Sequence, residues 1–445
     1  MVQPIGPANQ FHPSSESDDE QHPNSADLFA DDEDNSILNP STQPVQLMVE
    51  SRTLEPDQVS RPAAKAQRYK SLKEIYEAEA ISSSMVPSLQ SVHDSAGYVR
   101  FTSEPNIYSR HISGVFLLLV IYVNDILLLS NSESALSAAK EEEHSSFSMS
   151  DMGVLHSCLG IQVVHDPSKG SIHISQQFYT QSLLKKFSME TCKGVDTPLP
   201  ANVKFKRTNS LADTASSTPQ FPYANILGGI RYLVTCTHPD ICFAANVVSH
   251  FMSSPSAIHI QYLKRVMRYL QQTKQFGLTY SSVAPQPSPF LVGYSDANWG
   301  GDQDTLQSTS DYTFLLFGAA VAWQSKKQDR VTLSSTEAEY MAMTLSLKEG
   351  IWLKNLLLET TLFKNQPLLL HCDNLSAIIL AKNLKHSEKT KPIAMKLHFI
   401  RELIQEGSLQ LSHVRTELQW ADFLTKPLPK AKHLMSYHQL GLHTL

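Results

Sequence analysis

Cysteine is scarce. The 445 residues hold five, Cys158, Cys192, Cys236, Cys242 and Cys372, an odd number with no CxxC pair. That usage speaks against a disulfide scaffold and fits a reducing compartment. Cys236, His238 and Cys242 could form part of a metal site, but no fourth ligand is evident. Long apolar runs are also missing. The longest, Val115–Leu129, is interrupted by Asn124 and Asp125, and is too short and too polar at its centre to span a bilayer. The N-terminus shows neither the basic nor the apolar region of a signal peptide, so a soluble protein is expected. No P-loop, dinucleotide fingerprint or Ser-His-Asp signature occurs. Basic residues are absent before Arg52, whereas the first 50 residues carry ten acids. From Arg52 onward 37 bases face 33 acids, although the whole chain has a net charge of −6. Such a mildly basic body permits a nucleic-acid partner without demanding one.

The remaining composition is 41 % hydrophobic and 18 % charged, which is globular and excludes a fully disordered chain. Residues 1–95 read as a disordered, acidic linker region, with one candidate helix at Ser71–Ala80. Val115–Val123 is β-rich and apolar on both faces, as a central strand would be. Asn124 and Asp125 can turn the chain into a second strand, Ile126–Leu129. Two short strands, Gly160–Val164 and Ser171–Ser175, precede a helix at Gln176–Phe187. A Pro- and Ser-rich linker over 195–222 leads to three helices within Tyr223–Thr273. The third carries Tyr262, Val266, Tyr269 and Leu270 at helical spacing, with Lys264, Arg265 and Arg268 between them. After the Pro-rich piece Ala284–Pro289, strands are expected at 290–296, 311–317, 320–325, 367–372 and 409–414. Helices are expected at 335–358, 374–382, 393–406 and 417–426. Early strands followed by alternating helices and strands predict a mixed α/β sheet covered by helices.

Three constellations could carry chemistry. Tyr122–Asp125 puts Asn124 and Asp125 at a hairpin tip, where they could hold a metal or merely satisfy a turn. Four acids fall at element ends. Phe290, Val292, Tyr294 and Asp296 share one strand face, so Asp296 ends an otherwise apolar row. Asp373 follows the apolar strand Leu368–Cys372, and could equally be a helix N-cap. Ser334, Ser335 and Thr336 form a capping cluster that puts Glu337 and Glu339 early in a long helix. Asp422 follows Trp420. Carboxylates gathered at strand ends repel unless cations lie between them, and two Mg²⁺ ions about 4 Å apart are a known arrangement for phosphodiester cleavage. The third is a run of bases, Lys382, Lys385, Lys389, Lys391, Lys396 and Arg401, with His386 and His398. It is either a solvated helix face or a phosphate-tracking surface.

At these motifs the sequence strongly resembles copia-type LTR retrotransposon Pol polyproteins, from about residue 97 to the C-terminus. Val120–Leu129 is similar to the reverse-transcriptase block around Tyr-Val-Asp-Asp. Ile226–Leu233, Thr237–Ile241 and Leu263–Leu270 resemble the region that follows the palm. Tyr294–Gly301, Leu333–Met341, Cys372–Ala377 and Trp420–Pro427 resemble the ribonuclease H region, in the family's order. The resemblance implies a palm remnant over 97–200, a linker and helical connection over 201–285, and a ribonuclease H-like domain over 288–430, with 431–445 a C-terminal tail. It implies an RNA–DNA hybrid as substrate and Mg²⁺ or Mn²⁺ as cofactor. It also implies an intracellular place, in a cytoplasmic particle or the nucleus. Asp296, Glu339, Asp373 and Asp422 match the catalytic, metal-holding carboxylates, and Glu337 becomes the capping acid. His413 could match a mobile histidine that aids product release.

The departures are as informative. The metal-binding aspartate that opens the family's acidic pair is Asn124 here, and only Asp125 remains. The fingers and early palm strand do not resemble residues 1–95, so a truncated, inactive polymerase is expected. Lys391-Pro-Ile-Ala394 replaces a usual Lys-His-Ile-Asp, and Asp311 replaces a usual glycine, at a stability cost if that position needs positive φ. The rival expectation is a non-catalytic relic or nucleic-acid-binding fragment, whose palm hairpin would have unpaired edges. A third is a different nuclease of the same superfold.

Overall fold

A computed structural model describes residues 65–70, 93–123, 125–201, 203, 205–206, 221–282, 290–383 and 394–445. All belong to one unit, Asp57–Leu445. The expected helix at Ser71–Ala80 and the acidic N-terminus lie outside the described residues.

The first sheet contains β1 (Lys65–Lys70), β2 (Val99–Arg100), β3 (Ile107–Ile112), β4 (Val115–Tyr122), β5 (Asp125–Ser130) and β6 (Ser150–Val154), in the order β2-β3-β4-β5-β1-β6. The β4–β5 hairpin is the one read from the sequence, in the register Tyr122↔Asp125. One face of it is buried, through Leu117, Leu119, Ile121, Ile126 and Leu128. The other face is only half buried, at Phe116, Leu118 and Val120, which corrects the expectation of two covered faces. Helix α1 (Glu133–Ser146) covers the apolar face with Leu136 and Ala139, and Ser132 caps its N-terminus by accepting from the Ala135 amide. Neither hairpin edge is left open. Strand β3 pairs with β4, and β1, drawn from the stretch expected to be a linker, pairs antiparallel with β5. At the hairpin tip Val123 has φ 52°, a strained conformation for a β-branched residue.

The second sheet joins β7 (Ser157–Cys158), β8 (Ile161–Asp166) and β9 (Ser171–Ser175) to β10 (Phe276–Ser281), with four helices between. These are α2 (Gln177–Lys186), α3 (Tyr223–Cys236), α4 (Cys242–Ser249) and α5 (Ala257–Gln272). The expected stripe on α5 is buried, and packs with Leu227 and Ile230 of α3. The bases between are structural. Arg265 donates to the Thr197 hydroxyl (3.0 Å) and Arg268 to the Lys193 carbonyl (2.8 Å), which holds residues 193–197 on the helix.

The third sheet is the mixed one expected on the resemblance to ribonuclease H. Strands β11 (Val292–Asn298), β12 (Thr309–Leu316) and β13 (Ala319–Lys327) form an antiparallel meander. Helix α6 (Ser335–Glu359) packs across β11 and β12. Strand β14 (Leu368–Cys372) returns parallel to β11. Helices α7 (Leu375–Lys382) and α8 (Ala394–Gln405) then lead to β15 (Leu409–His413), parallel to β14. The order is β13-β12-β11-β14-β15. The helix expected at 417–426 is instead two 3₁₀ turns, Thr416–Leu418 and Asp422–Leu424. Thr416–Leu418 are exposed whereas Ala421, Phe423 and Leu424 are all buried, so the segment passes from surface to core and no single amphipathic face runs its length.

Residues 431–445 are not a tail. Helix α9 (Lys430–Gln439) leads to β16 (Leu442–Thr444), which pairs with β10 and extends the second sheet to the order β16-β10-β9-β8-β7. Leu440 and Leu442 are fully buried, in a cluster with Leu278 of β10, Ala319 and Ala320 of β13, and Phe423 and Leu424. That cluster joins the second and third sheets, and the Trp323 indole donates to the Val234 carbonyl beside it (2.8 Å). Gly441, between α9 and β16, has φ +75°, and a Cβ there would lie 2.7 Å from the Ala319 Cα. Gly441→Ala is therefore expected to cost about 1–3 kcal/mol, from the backbone and the clash together. A lower urea midpoint at unchanged slope would show it.

Candidate functional site

Strands β11 and β14 are parallel neighbours in the register Tyr294↔His371. Two residues further along each lie Asp296 and Asp373. The period of two and the shared strand direction therefore deliver both carboxylates to one edge of the sheet. Glu339 projects from the start of α6. Its neighbour Glu337 takes part in the cap: the Glu337 amide donates to the Ser334 hydroxyl (3.2 Å), and the amide of Leu333, the residue before the cap, donates to the Glu337 carboxylate (2.9 Å). Asp422 comes from the second 3₁₀ turn. The Gln419 side chain sets that turn against β11 by donating to the Ser295 carbonyl (2.9 Å).

The four carboxylates sense one another. Burial, then repulsion by Asp422 and Asp373, pushes the Asp296 carboxyl up to about 6, against a hydrogen bond from the Thr425 hydroxyl (2.8 Å). Burial, then Asp296 and Asp373, holds the Glu339 carboxyl well above its ordinary value. Asp373 accepts from the Thr416 hydroxyl (2.9 Å). Glu339, Cys372 and Asp373 offer ligand atoms within 4.8 Å of one another. Burial and the nearby carboxylates raise the Cys372 thiol well above its usual range, so it stays protonated and leaves ligation to oxygen donors. The Asp422 carboxylate is gripped by two ammonium groups, Lys426 on one oxygen and Lys432 of α9 on the other.

A fifth carboxylate belongs to this row. Asp311 of β12 faces Asp296 on one side and Ser325 of β13 on the other. It is fully buried, and neither oxygen accepts a hydrogen bond of normal geometry. Burial raises its carboxyl strongly, Asp296 and Glu339 raise it further, and Ser325 and the Lys326 amide offset only part. Asp311 is ordinary strand without positive φ, so its cost is electrostatic and not conformational.

The other sequence-read residues sit differently. His413 ends β15 opposite Cys372 and is exposed at the rim. Arg401 is buried and donates to the Leu380 carbonyl (3.1 Å), which corrects its reading as a phosphate contact. Lys382 is exposed but donates to the Leu411 carbonyl (3.3 Å). Lys396 is half buried against Met341. Lys385, Lys389, Lys391 and Pro392 lie outside the described residues, as does Asn124, and nothing is described of the Ala394 side chain. Asp125 begins β5 and is buried. Cys236, His238 and Cys242 do not form a metal-ligand group among the described residues: His238 is paired with Asp240 (3.2 Å). Sequence reasoning missed Thr425, Lys426 and Lys432. The first two stand in the Trp420–Pro427 motif, three and four residues after Asp422, a spacing that could have marked them.

The chain matches the family model described as Reverse transcriptase (RNA-dependent DNA polymerase) over residues 58–201. It is 34 % identical over 78 % of its length to the Retrovirus-related Pol polyprotein from transposon TNT 1-94 of Nicotiana tabacum, covering 26 % of that protein. It therefore spans about a quarter of that relative's length. It is 32 % identical over 57 % of its length to the Putative transposon Ty5-1 protein of Saccharomyces cerevisiae, covering 80 % of it. Among solved structures, it is similar to the N-terminal RNase H domain of rv2228c from Mycobacterium tuberculosis at 13 % identity. That likeness covers 33 % of this chain and 96 % of the other, with a TM-score of 0.23.

The raised carboxyls fix a direction for stability against pH. Asp296, Asp311 and Glu339 keep their protons to higher pH folded than unfolded, so the folded state binds more protons and stability falls as pH rises. Without divalent cations these three groups are expected to make the melting midpoint fall from about pH 4 through about 6 and beyond, against the opposite contribution of histidines that burial holds below their ordinary value, such as His371 and His433. Asp311→Asn should flatten that fall and stabilise the chain by about 1–3 kcal/mol at pH 7.5, with little gain at pH 4. Thermal melts across this range are the check.

Proposed function

The chain belongs to the copia-type retrotransposon Pol polyproteins, and on that premise we propose that its C-terminal α/β domain hydrolyses the RNA strand of RNA–DNA hybrids. The observation that supports this most is the gathering of Asp296, Glu339 and Asp373 beside the ends of β11 and β14, with Glu339 and Asp373 offering ligand oxygens within 4.8 Å of each other, where only protonation or counter-charge relieves their repulsion. The donor set is carboxylate oxygen with a protonated thiol beside it, which suits Mg²⁺ or Mn²⁺ and disfavours softer metals. Asp296, Glu339, Asp373 and Asp422 would hold the ions. When bound, a pair of such ions activates water and stabilises the leaving 3′ oxygen.

The chain's own groups do the rest. Thr425 and Thr416 hold the carboxylates of Asp296 and Asp373 by hydrogen bonds. Gln419 holds the Asp422 turn against β11, and Glu337 fixes the start of α6 and with it Glu339. His413, exposed at the rim, would meet departing product. Selection of RNA would rest on 2′-hydroxyl contacts and on the shape of the hybrid groove.

The reverse-transcriptase part is proposed to have lost polymerisation. Asn124 offers a neutral oxygen where a charged carboxylate would hold a metal and balance the transferring phosphate. That residue also favours the rival reading, a nucleic-acid-binding relic, for this half of the chain.

Two outcomes follow. Mg²⁺-dependent cleavage of a labelled RNA–DNA hybrid should fall by about 10³-fold in Asp296→Asn, several kcal/mol of transition-state stabilisation. Duplex DNA should remain uncut, and its cleavage would point to another nuclease of the same superfold. No cleavage by the soluble wild type would favour the relic. Template-primed dNTP incorporation should be absent, and its detection would refute the loss of polymerisation.

A further inference from the structure

Among the described residues, Asp422 is the most enclosed carboxylate that pairs with a lysine. Its side chain is 2 % exposed, yet each oxygen meets a different ammonium group. Lys426 reaches it from four residues along, while Lys432 arrives on α9. The helix is no floppy support: His433, the next residue, is buried and hydrogen-bonded to the Tyr269 hydroxyl (3.2 Å), and Tyr437 is buried one turn on. Two positive charges on one negative leave a local surplus, directed at the acidic row. The fields of Asp422, Asp296 and Asp373 all bear on Lys426. Both lysine side chains keep an open side, at 45 % and 32 % exposure.

We propose that Lys426 and Lys432 are a phosphate-binding pair. They serve as the counter-charge of Asp422 while no divalent cation is bound, and turn to the nucleic-acid backbone when a cation takes Asp422. The inference rests on reading Asp422 as a cation ligand. The physical argument is an exchange of partners. Asp422 cannot give its oxygens both to ammonium groups and to a cation, so cation and lysines compete. The displaced ammonium groups then stand beside a site where a phosphate must lie, and a lysine is a mobile point charge suited to that contact. A plain structural ion pair predicts no such competition.

The test uses the full chain, with Mn²⁺ binding read by electron paramagnetic resonance. Hybrid binding is read separately by fluorescence anisotropy in Ca²⁺. Lys426→Met and Lys432→Met are expected to tighten Mn²⁺ about threefold to tenfold and to weaken hybrid binding, with the log–log salt slope lower by about 1 for each lysine. Lys430→Met is the control for simple loss of charge: it lies on the same helix but pairs with Asp196 (2.8 Å), and should change neither. Lys432→Arg keeps the charge and grips a carboxylate more firmly, so it should weaken Mn²⁺ binding and retain the hybrid. That variant decides the matter should the Met variants fail to fold. Unchanged or weaker Mn²⁺ binding in folded Met variants, or unchanged hybrid binding, overturns the proposal. Wild-type chain that binds no Mn²⁺, or Asp422→Asn that binds it as well as wild type, overturns instead the cation-site reading beneath it.

Discussion

Repulsion between buried carboxylates organises the C-terminal half of this protein. Asp296 and Asp373 leave the ends of two parallel strands on the same side, Glu339 joins from α6, and Asp311 stands directly across from Asp296. No fold gathers such groups for stability, because each loses solvation and gains like-charged neighbours. Everything around them limits that cost. Threonines donate to two of the acids, the protonated Cys372 thiol lies against Glu339, and two lysines cover Asp422. The surrounding framework is apolar and tightly packed: Phe314, Tyr340, Met343 and Leu370 are fully buried beneath the site. Rigid packing keeps the acids from drifting apart.

Much of this was legible in the sequence, for physical reasons. The β4–β5 hairpin carries a long apolar run broken by turn residues, and the strands of the third sheet carry short or alternating apolar stretches, a strong local signal. Asp296 and Asp373 could be placed because strand period and strand end together fix where a side chain emerges. Glu337 and Glu339 could be told apart by the Ser334 cap. Charge alone was a poorer guide. Arg401, expected on a solvated helix face or a phosphate-tracking surface, is buried on the Leu380 carbonyl, and a guanidinium in sequence does not reveal which oxygen it meets. The segment 417–426, expected as one helix, is two 3₁₀ turns. The first turn is exposed and the second is buried, so no single amphipathic face runs the length of the segment.

Long-range pairing was invisible from local pattern. Strand β1 has the composition of a linker and gains its place only by pairing with β5 and β6. The segment 430–444 reads as a polar tail with scattered leucines, yet Leu440 and Leu442 are among the most buried residues of the molecule. Their partners Leu278, Ala319 and Phe423 come from three other elements, and no window of sequence contains them together.

The position of β16 carries a consequence for how the chain is made. It lines up with β10, and through it with β9, whose residues precede it by well over half the chain. Synthesis proceeds from the N-terminus, and domains ordinarily close as they emerge. Here the second sheet lacks an edge strand, and Asp422 lacks Lys432, until residues 432–444 have left the ribosome. The acidic site of a nascent chain therefore stays incomplete until those residues emerge. The Lys432 counter-charge and the pairing of β16 with β10 arrive together.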